Sequence, residues 1–176
     1  MNIVYLGLGS NIRPAHHLPL GLRALRSLLG ELSLSPVYEG AAIGFDGAPF
    51  WNLVVGARTA LGVGELHRAL RAIEFAHGRP PDATRHSPRT LDIDILTHGD
   101  RVGSVDGVEL PRAEILERAF VLRPLAELAP ATRHPVLRRS YADLWRDYDH
   151  DAEPLQPVAL PPADARYPRG AVRGGA

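Results

Sequence analysis

The stretch HSPRTLDIDIL, residues 86–96, predicts a buried strand that carries two acidic side chains. Because side chains alternate between the faces of a strand, Asp92 and Asp94 share one face, while Ile93 and Ile95 share the other. Two residues of rise place the carboxylates roughly 6 to 7 Å apart. At an effective dielectric constant of 20 they repel each other by about 2 to 3 kcal/mol. The pattern therefore predicts a positively charged partner in front of this face.

The segments on either side of this strand predict a mixed α+β fold. Apolar periodicity and turn residues predict strands at residues 3–9, 31–39, 50–59 and 90–97 and helices at 18–29 and 65–77. The resulting order, β-α-β-β-α-β, is typical of a ferredoxin-like α/β sandwich with an antiparallel sheet. A hairpin that ends near residue 110 and helices within residues 115–128 and 141–145 are predicted as C-terminal additions to this core.

The length of 176 residues and the hydrophobic content of 45% suit one domain with a full-sized core. We expect residues 1–149 to form this domain. From residue 150 onward prolines and glycines dominate and the apolar periodicity is lost. Residues 150–176 are therefore predicted to be a disordered tail.

The composition argues against several classes of function. Twenty basic residues balance twenty acidic ones, so no net charge favours nucleic acid or a membrane surface. No apolar run approaches the roughly 20 residues of a membrane span, no basic leader precedes the first strand, and cysteine is absent. We therefore expect a cytoplasmic monomer that binds small molecules. Every basic residue is an arginine, so phosphate would be bound by arginine, backbone or metal.

Two carboxylates on one strand face suit Mg²⁺, a hard cation that prefers oxygen ligands. Because Mg²⁺ takes only one or two protein carboxylates and completes its shell with water and phosphate oxygens, the pair also indicates a phosphorylated substrate. Arg79, Arg85 and Arg89 lie just upstream in a proline-rich loop and offer guanidinium groups that bind phosphate. Together these groups suit phosphoryl transfer. The alternative is an edge strand with a solvated polar face beside a solvated basic loop.

Five segments in order along the chain carry a resemblance to a known family. They are GLGSN at residues 7–11, FWN at 50–52, RAIE with HGR at 71–79, SPRTLDIDIL at 87–96 and RAFVLRPLAELAP at 118–130. With these motifs the chain resembles the 6-hydroxymethyl-7,8-dihydropterin pyrophosphokinases of folate biosynthesis, from about Tyr5 to Pro130. The resemblance implies a Mg²⁺-dependent pyrophosphokinase that transfers the pyrophosphoryl group of ATP to the pterin hydroxymethyl oxygen and releases AMP.

The resemblance also implies roles for individual residues. Asp92 and Asp94 match the family's ligands for two Mg²⁺ ions, and the implied catalytic residues are Arg79, Arg89 and Asp94. Those implied for the nucleotide are Glu74, Arg79, Arg89, Ile95, Arg112 and Arg118, and those implied for the pterin are Ile43, Phe50, Asn52 and Phe120. Without the resemblance, the two phenylalanines would be interpreted as ordinary core residues.

Several positions depart from the family's pattern, and all lie in segments around the expected substrates. His86 stands where relatives often have a loop tryptophan, and Ser87 replaces the usual glycine. Residues 40–42 read Gly-Ala-Ala in place of Thr-x-Pro, and residues 110–113 read Leu-Pro-Arg-Ala in place of Leu-Pro-His-Pro. The alternative function is therefore a non-catalytic or substrate-altered ferredoxin-like module that binds a nucleotide or a pterin. Retention of the Asp pair with its arginines favours the enzyme.

Overall fold

The computed structural model of the chain describes residues 1–161. It contains eight strands and five helices within that range. The strands are β1 (Asn2–Ser10), β2 (Leu32–Leu34), β3 (Val37–Gly40), β4 (Phe50–Thr59), β5 (Asp92–His98), β6 (Gly103–Val105), β7 (Val108–Leu110) and β8 (Gln156–Val158). The helices are α1 (Pro14–Leu29), α2 (Val63–Ala76), α3 (Glu114–Glu117), α4 (Ala119–Leu128) and α5 (Tyr141–Arg146). Within the described residues, no helix is both long enough and apolar enough to cross a membrane.

The main sheet has the strand order β5-β1-β4-β3-β8, with β2 also paired to β4. Every pairing in it is antiparallel, and β1 lies in the interior between β4 and β5. Strands β6 and β7 form a separate hairpin. The β-α-β-β-α-β core and the predicted hairpin with further helices on its C-terminal side are therefore confirmed.

Two predicted elements are each broken in the structure. The strand predicted at residues 31–39 is divided into β2 and β3 by Ser35 and Pro36, and the proline lacks the N–H that a continuous ladder needs. Ser35 instead bonds Val54 twice, accepting from its backbone N at 2.8 Å and donating its own N–H to the carbonyl at 3.0 Å. The predicted helix within residues 115–128 is divided into α3 and α4 by Arg118, whose backbone is extended (φ −128°, ψ 123°).

Both faces of the main sheet are covered. On one face, the leucines of α1 and α2 pack on Val4, Leu6 and Leu8 of β1 and on Ile93 of β5. On the other face, α4 and α5 form a second apolar cluster with Leu96 and other sheet residues. This second face carries the even-numbered positions of β5 from Asp92 to Leu96, and it is therefore the face of Asp92 and Asp94.

The C-terminal part of the described chain differs from the sequence prediction. Residues 156–158, within the predicted disordered tail, form β8, which pairs with β3 at the sheet edge. Pairing with an existing strand edge needs little apolar periodicity, because the backbone supplies the bonds. Residues 162–176, the rest of that predicted tail, lie outside the described residues, and the domain boundary at residue 149 stays a prediction.

Candidate active site

A cavity of about 610 Å³ opens on the second face of the sheet, above β1, β4 and β5. Ten of the residues that the sequence suggested for a site line it together: Ile43, Phe50, Asn52, Arg79, Arg89, Asp92, Asp94, Arg112, Arg118 and Phe120. Glu74 lies behind the cavity wall with no exposed surface. Ile95 is the exception, because its position on β5 turns its side chain into the core on the opposite face. Only backbone groups of Ile95 can meet a ligand in this cavity.

The part of the cavity floor formed by β1 is backbone, because β1 carries glycine at the positions that face the cavity. Gly9 pairs with Asn52 on one side and with Asp92 on the other, and Gly7 pairs with Asp94. A Cβ atom at Gly9 would lie 2.7 Å from the Oδ1 atom of Asn52. The glycine therefore makes room for the Asn52 carboxamide, which lies across the floor from the aspartates.

The Asn52 side chain is an unusual polar group in this floor. The residue is 8% exposed, and within residues 1–161 its carboxamide has no hydrogen-bond partner. Its polar atoms are not among the fully buried, unpaired ones in the described residues, and the residue lines the open cavity. Asn52 thus offers a cavity ligand one acceptor and two donors.

Asp92 and Asp94 both have the positive partners that their repulsion predicted. The Nη1 atom of Arg79 lies 3.4 Å from Oδ1 of Asp92, and the Nη2 atom of Arg112 lies 3.5 Å from Oδ2 of Asp94. Burial, followed by the charge of Asp92, raises the pKa of Asp94 to about 7, and Arg112 only partly opposes this shift. The pair is therefore still short of positive charge.

The oxygen atoms of this pair suit a hard divalent cation. Within the described residues, no group of three or more His, Asp or Glu side chains is placed to hold a metal ion. A cation here would therefore take the two carboxylates and complete its shell with water or phosphate oxygens, which is the usual manner of Mg²⁺.

Glu74 connects α2 to the strand that carries the aspartates. Its Oε2 atom accepts from Nη1 of Arg71 at 2.6 Å and from Nη1 of Arg79 at 3.1 Å. Its Oε1 atom accepts from the backbone N of Ile93 at 2.7 Å. Burial raises the pKa of Glu74, while the hydrogen bonds from Ile93 and Arg71 oppose the shift. Glu74 fixes the position of Arg79 in front of the acidic pair.

The proline-rich loop, residues 77–91, forms one side of the cavity. Near its C-terminal end, Arg89 bonds the loop both to itself and to the residue after β1. Arg89 is 8% exposed, and its guanidinium donates to the carbonyl of Thr84 and the hydroxyl of Ser87. Its backbone N donates to Oδ1 of Asn11 at 2.8 Å, which ties the loop to the end of β1. The more exposed Arg85 lies 3.9 Å from Glu114 on the opposite wall.

The other side of the cavity is apolar and includes a residue that the sequence reasoning missed. Phe50 and Phe120 line it, and Phe45 meets Phe50 edge to face with ring centroids 6.2 Å apart. His86 lies against this side, because a Cβ atom at Gly44 would come within 2.7 Å of its Nδ1 atom. The imidazole therefore bridges the loop of residues 41–49 and the proline-rich loop.

The residues of the site that were not identified from sequence include Arg71, Phe45, Glu114 and Glu153. Arg71 had a local signal, because it precedes Glu74 by three residues and so shares its helix face. Glu114 pairs with Arg112 at 3.1 Å. Glu153 pairs with Arg118 at 2.8 Å from far along the chain, and no local pattern predicts that contact.

Comparisons with known proteins show what this chain is similar to. Residues 5–130 match the family model for 7,8-dihydro-6-hydroxymethylpterin-pyrophosphokinase. A 2-amino-4-hydroxy-6-hydroxymethyldihydropteridine pyrophosphokinase of Pseudomonas aeruginosa is 39% identical over 136 residues, which cover 75% of this chain and 83% of the relative. The enzyme of that name from Aquifex aeolicus is 34% identical over 141 residues, which cover 79% of this chain and 88% of the relative.

The fold is also similar to solved structures of a larger protein. The wild-type Plasmodium falciparum HPPK-DHPS with pterin and p-hydroxybenzoate superposes with a TM-score of 0.67 at 16% identity. The superposition covers 84% of this chain and 42% of that one, so this chain spans less than half the length of that protein. At this level of identity the likeness supports the fold.

Proposed function

Because this chain belongs to the 7,8-dihydro-6-hydroxymethylpterin-pyrophosphokinase family, we infer that it transfers the pyrophosphoryl group of ATP to hydroxymethyldihydropterin in folate synthesis. The family and the function that the sequence motifs predicted are thereby confirmed. In this reaction the hydroxymethyl oxygen bonds to the β-phosphorus of ATP and loses its proton. The bond from that phosphorus to the α–β bridging oxygen breaks, and AMP leaves with the electron pair.

We assign the site residues mainly because one cavity has two chemically different sides. Acidic and guanidinium groups meet on the side of β5 and the proline-rich loop, whereas the unpaired Asn52 amide and the phenylalanines meet on the other. A triphosphate suits the charged side, and a flat heterocycle with hydrogen-bonding edges suits the other. The shared floor brings both substrates within reach of each other.

For the pterin, we assign Asn52 to the ring's hydrogen-bonding edge and Ile43, Phe50 and Phe120 to its faces. A pterin edge offers adjacent donors and acceptors, and a carboxamide offers one acceptor and two donors. Aromatic and aliphatic faces would exclude water from the ring and stack on it. Phe45 extends this apolar side through its contact with Phe50.

For the nucleotide, we assign the phosphates to Arg79, Arg89, Arg112 and Arg118. A guanidinium group can donate two parallel hydrogen bonds to the oxygens of one phosphate. A preformed cluster of such groups neutralises the negative charge that develops during transfer. Asp92 and Asp94 would hold Mg²⁺, which when bound supplies positive charge to the phosphate oxygens. Glu74 has no exposed surface, so it acts through Arg79 and β5 rather than on the nucleotide. Two bound ions, and a nucleotide contact through the Ile95 backbone, stay predictions.

The reaction assignment is tested by measuring AMP release with ATP, Mg²⁺ and 6-hydroxymethyl-7,8-dihydropterin. Wild type is expected to release AMP only when the pterin is present. Asp92→Asn should remove most of this activity, whereas Asp82→Asn, at an exposed position of the proline-rich loop, should not. A wild type that binds both ligands but releases no AMP would favour the non-catalytic module.

We further propose that the protein acts as a cytoplasmic monomer on small molecules, without nucleic acid or membrane partners. The balanced charge supports the absence of a nucleic-acid partner. Light scattering at working concentration checks the oligomeric state, and cell fractionation checks the location.

A further inference from the structure

The C-terminal segment, residues 148–158, reaches back to one wall of the cavity. The Oε1 atom of Glu153 accepts from Nη1 of Arg118 at 2.8 Å. Its Oε2 atom accepts from the backbone N of Ala119, also at 2.8 Å. One carboxylate therefore holds both the guanidinium that lines the cavity and the first amide of α4.

This contact lies at the break between α3 and α4, where the backbone leaves helical geometry. Arg118 is the extended residue between α3 and α4, and among the described residues its guanidinium pairs with Glu153. The first N–H groups of a helix have no partner inside it, and a carboxylate there is also favoured by the helix dipole. Glu153 therefore fixes the start of α4 and, with it, the direction of Arg118.

The C-terminal segment is itself held at both ends. Tyr148 donates its hydroxyl to the carbonyl of Glu117 at 3.1 Å. Further along, Leu155 packs so closely on Gly40 that a Cβ atom there would lie 2.9 Å from its Cδ2 atom. Strand β8 then pairs with β3. Because the segment is fixed on either side of Glu153, the carboxylate is placed before any ligand binds.

We propose that Glu153 is a positioning residue that holds the Arg118 guanidinium ready for the nucleotide phosphates. The inference rests on the proposed function, and Glu153 lies outside the part of the chain that matches the family model, residues 5–130. The Arg118 side chain is 34% exposed, and Glu153 occupies only one of its nitrogens. Since a guanidinium has five N–H donors, the others stay free for a phosphate.

The test measures the Kd of α,β-methylene-ATP by calorimetry in the presence of Mg²⁺. Glu153→Gln keeps an oxygen for the Ala119 amide but removes the charge that holds Arg118. We expect the Kd to rise about fivefold, which corresponds to about 1 kcal/mol, with pterin affinity changed less than about twofold. Asp151→Asn is the matched control, because it removes an exposed carboxylate from the same segment and should leave the Kd unchanged.

A double-mutant cycle separates positioning from a general structural effect. In an Arg118→Ala background, Glu153→Gln should no longer change the Kd, because the residue it acts through is absent. An unchanged Kd in the single variant, or an equal rise with and without Arg118, would overturn the proposal. A lower Kd in Glu153→Gln would also overturn the proposal, because the ion pair with Glu153 would then compete with phosphate for Arg118.

Two further measurements keep the outcomes distinct. Should Glu153→Gln fail to fold, Glu153→Asp keeps the charge on a shorter side chain that cannot reach both partners. Its Kd is then expected to rise, and an unchanged value would count against the proposal. AMP release by wild type is measured alongside. If wild type releases no AMP, the proposed reaction is refuted, and the Kd values of the double-mutant cycle still test the role of Glu153.

Discussion

Replacing Asp94 by asparagine is expected to stabilise the metal-free protein while abolishing AMP release. Asparagine has the shape of a protonated aspartic acid, so the variant removes the charge and little else. Arg112 keeps its 3.1 Å ion pair with Glu114, and so no buried cation loses its last partner. The change in stability therefore reports how costly it is to place a charged Asp94 beside Asp92.

The magnitude follows from the pKa of Asp94, which burial and Asp92 raise from 3.8 to about 7. At 1.36 kcal/mol per pH unit this difference is worth about 4 kcal/mol. Because the side chain is 20% exposed, solvent screening reduces the expected value to about 2 kcal/mol. The folded state holds the Asp94 proton more tightly than the unfolded state does. The cost is therefore absent below pH 3.8, grows as the pH rises towards 7 and is constant above.

Urea unfolding in EDTA at pH 8 and pH 5 measures this cost. Asp94→Asn should gain about 2 kcal/mol over wild type at pH 8 and less than about 1 kcal/mol at pH 5. Asp82→Asn, which changes an exposed loop carboxylate, should stay within about 0.5 kcal/mol of wild type at both pH values. A variant no more stable than wild type at pH 8 would refute the view that the acidic pair lacks positive charge.

Three further changes test other parts of the site. Glu74→Gln should lower the free energy of unfolding by about 3 kcal/mol, because both carboxylate oxygens accept from N–H groups of Arg71, Arg79 and Ile93, and an amide nitrogen would face one of these donors unpaired. A loss below about 1 kcal/mol in urea unfolding would contradict this. Arg89→Ala should slow AMP release more than it weakens pterin binding in calorimetry, since phosphate contacts strengthen in the transition state, and a loss confined to pterin affinity would argue against a phosphate role. His86→Trp should tighten pterin binding in the presence of a Mg²⁺–nucleotide analogue, because indole covers more of the ring than imidazole; unchanged affinity would leave His86 without a role in closure.

The parts of the site that depend on the geometry of a single strand or helix could be predicted from sequence. Alternation alone placed Asp92 and Asp94 on one face and Ile93 in the core, and the structure confirms it. The same alternation shows why the Ile95 side chain cannot reach the cavity. Resemblance to the family selected Asn52, which single-strand reasoning could identify only as a polar residue at an unusual position.

The remainder depends on contacts between distant segments. Nothing in the sequence near Glu153 distinguishes it from other acidic residues, and its role follows from the path that brings it to Arg118. Strand β8 was missed for a related reason, because an edge strand of three residues is specified by the partner it joins. Arg112 pairs with Asp94 from the turn after β7, so its partner was likewise not predictable from either segment alone.

The interior strand β1 is synthesised before its partners β4 and β5, which follow much later along the chain. A nascent chain can pair β1 with β4 once residue 59 has left the ribosome, but the other edge of β1 stays open until β5 emerges. An open edge beside apolar residues such as Leu6 and Leu8 favours association between chains. Such long-range pairing is also slow to form. The interval between the synthesis of β4 and β5 therefore leaves one edge of an interior strand open to other chains, and the strand that carries Asp92 and Asp94 closes it.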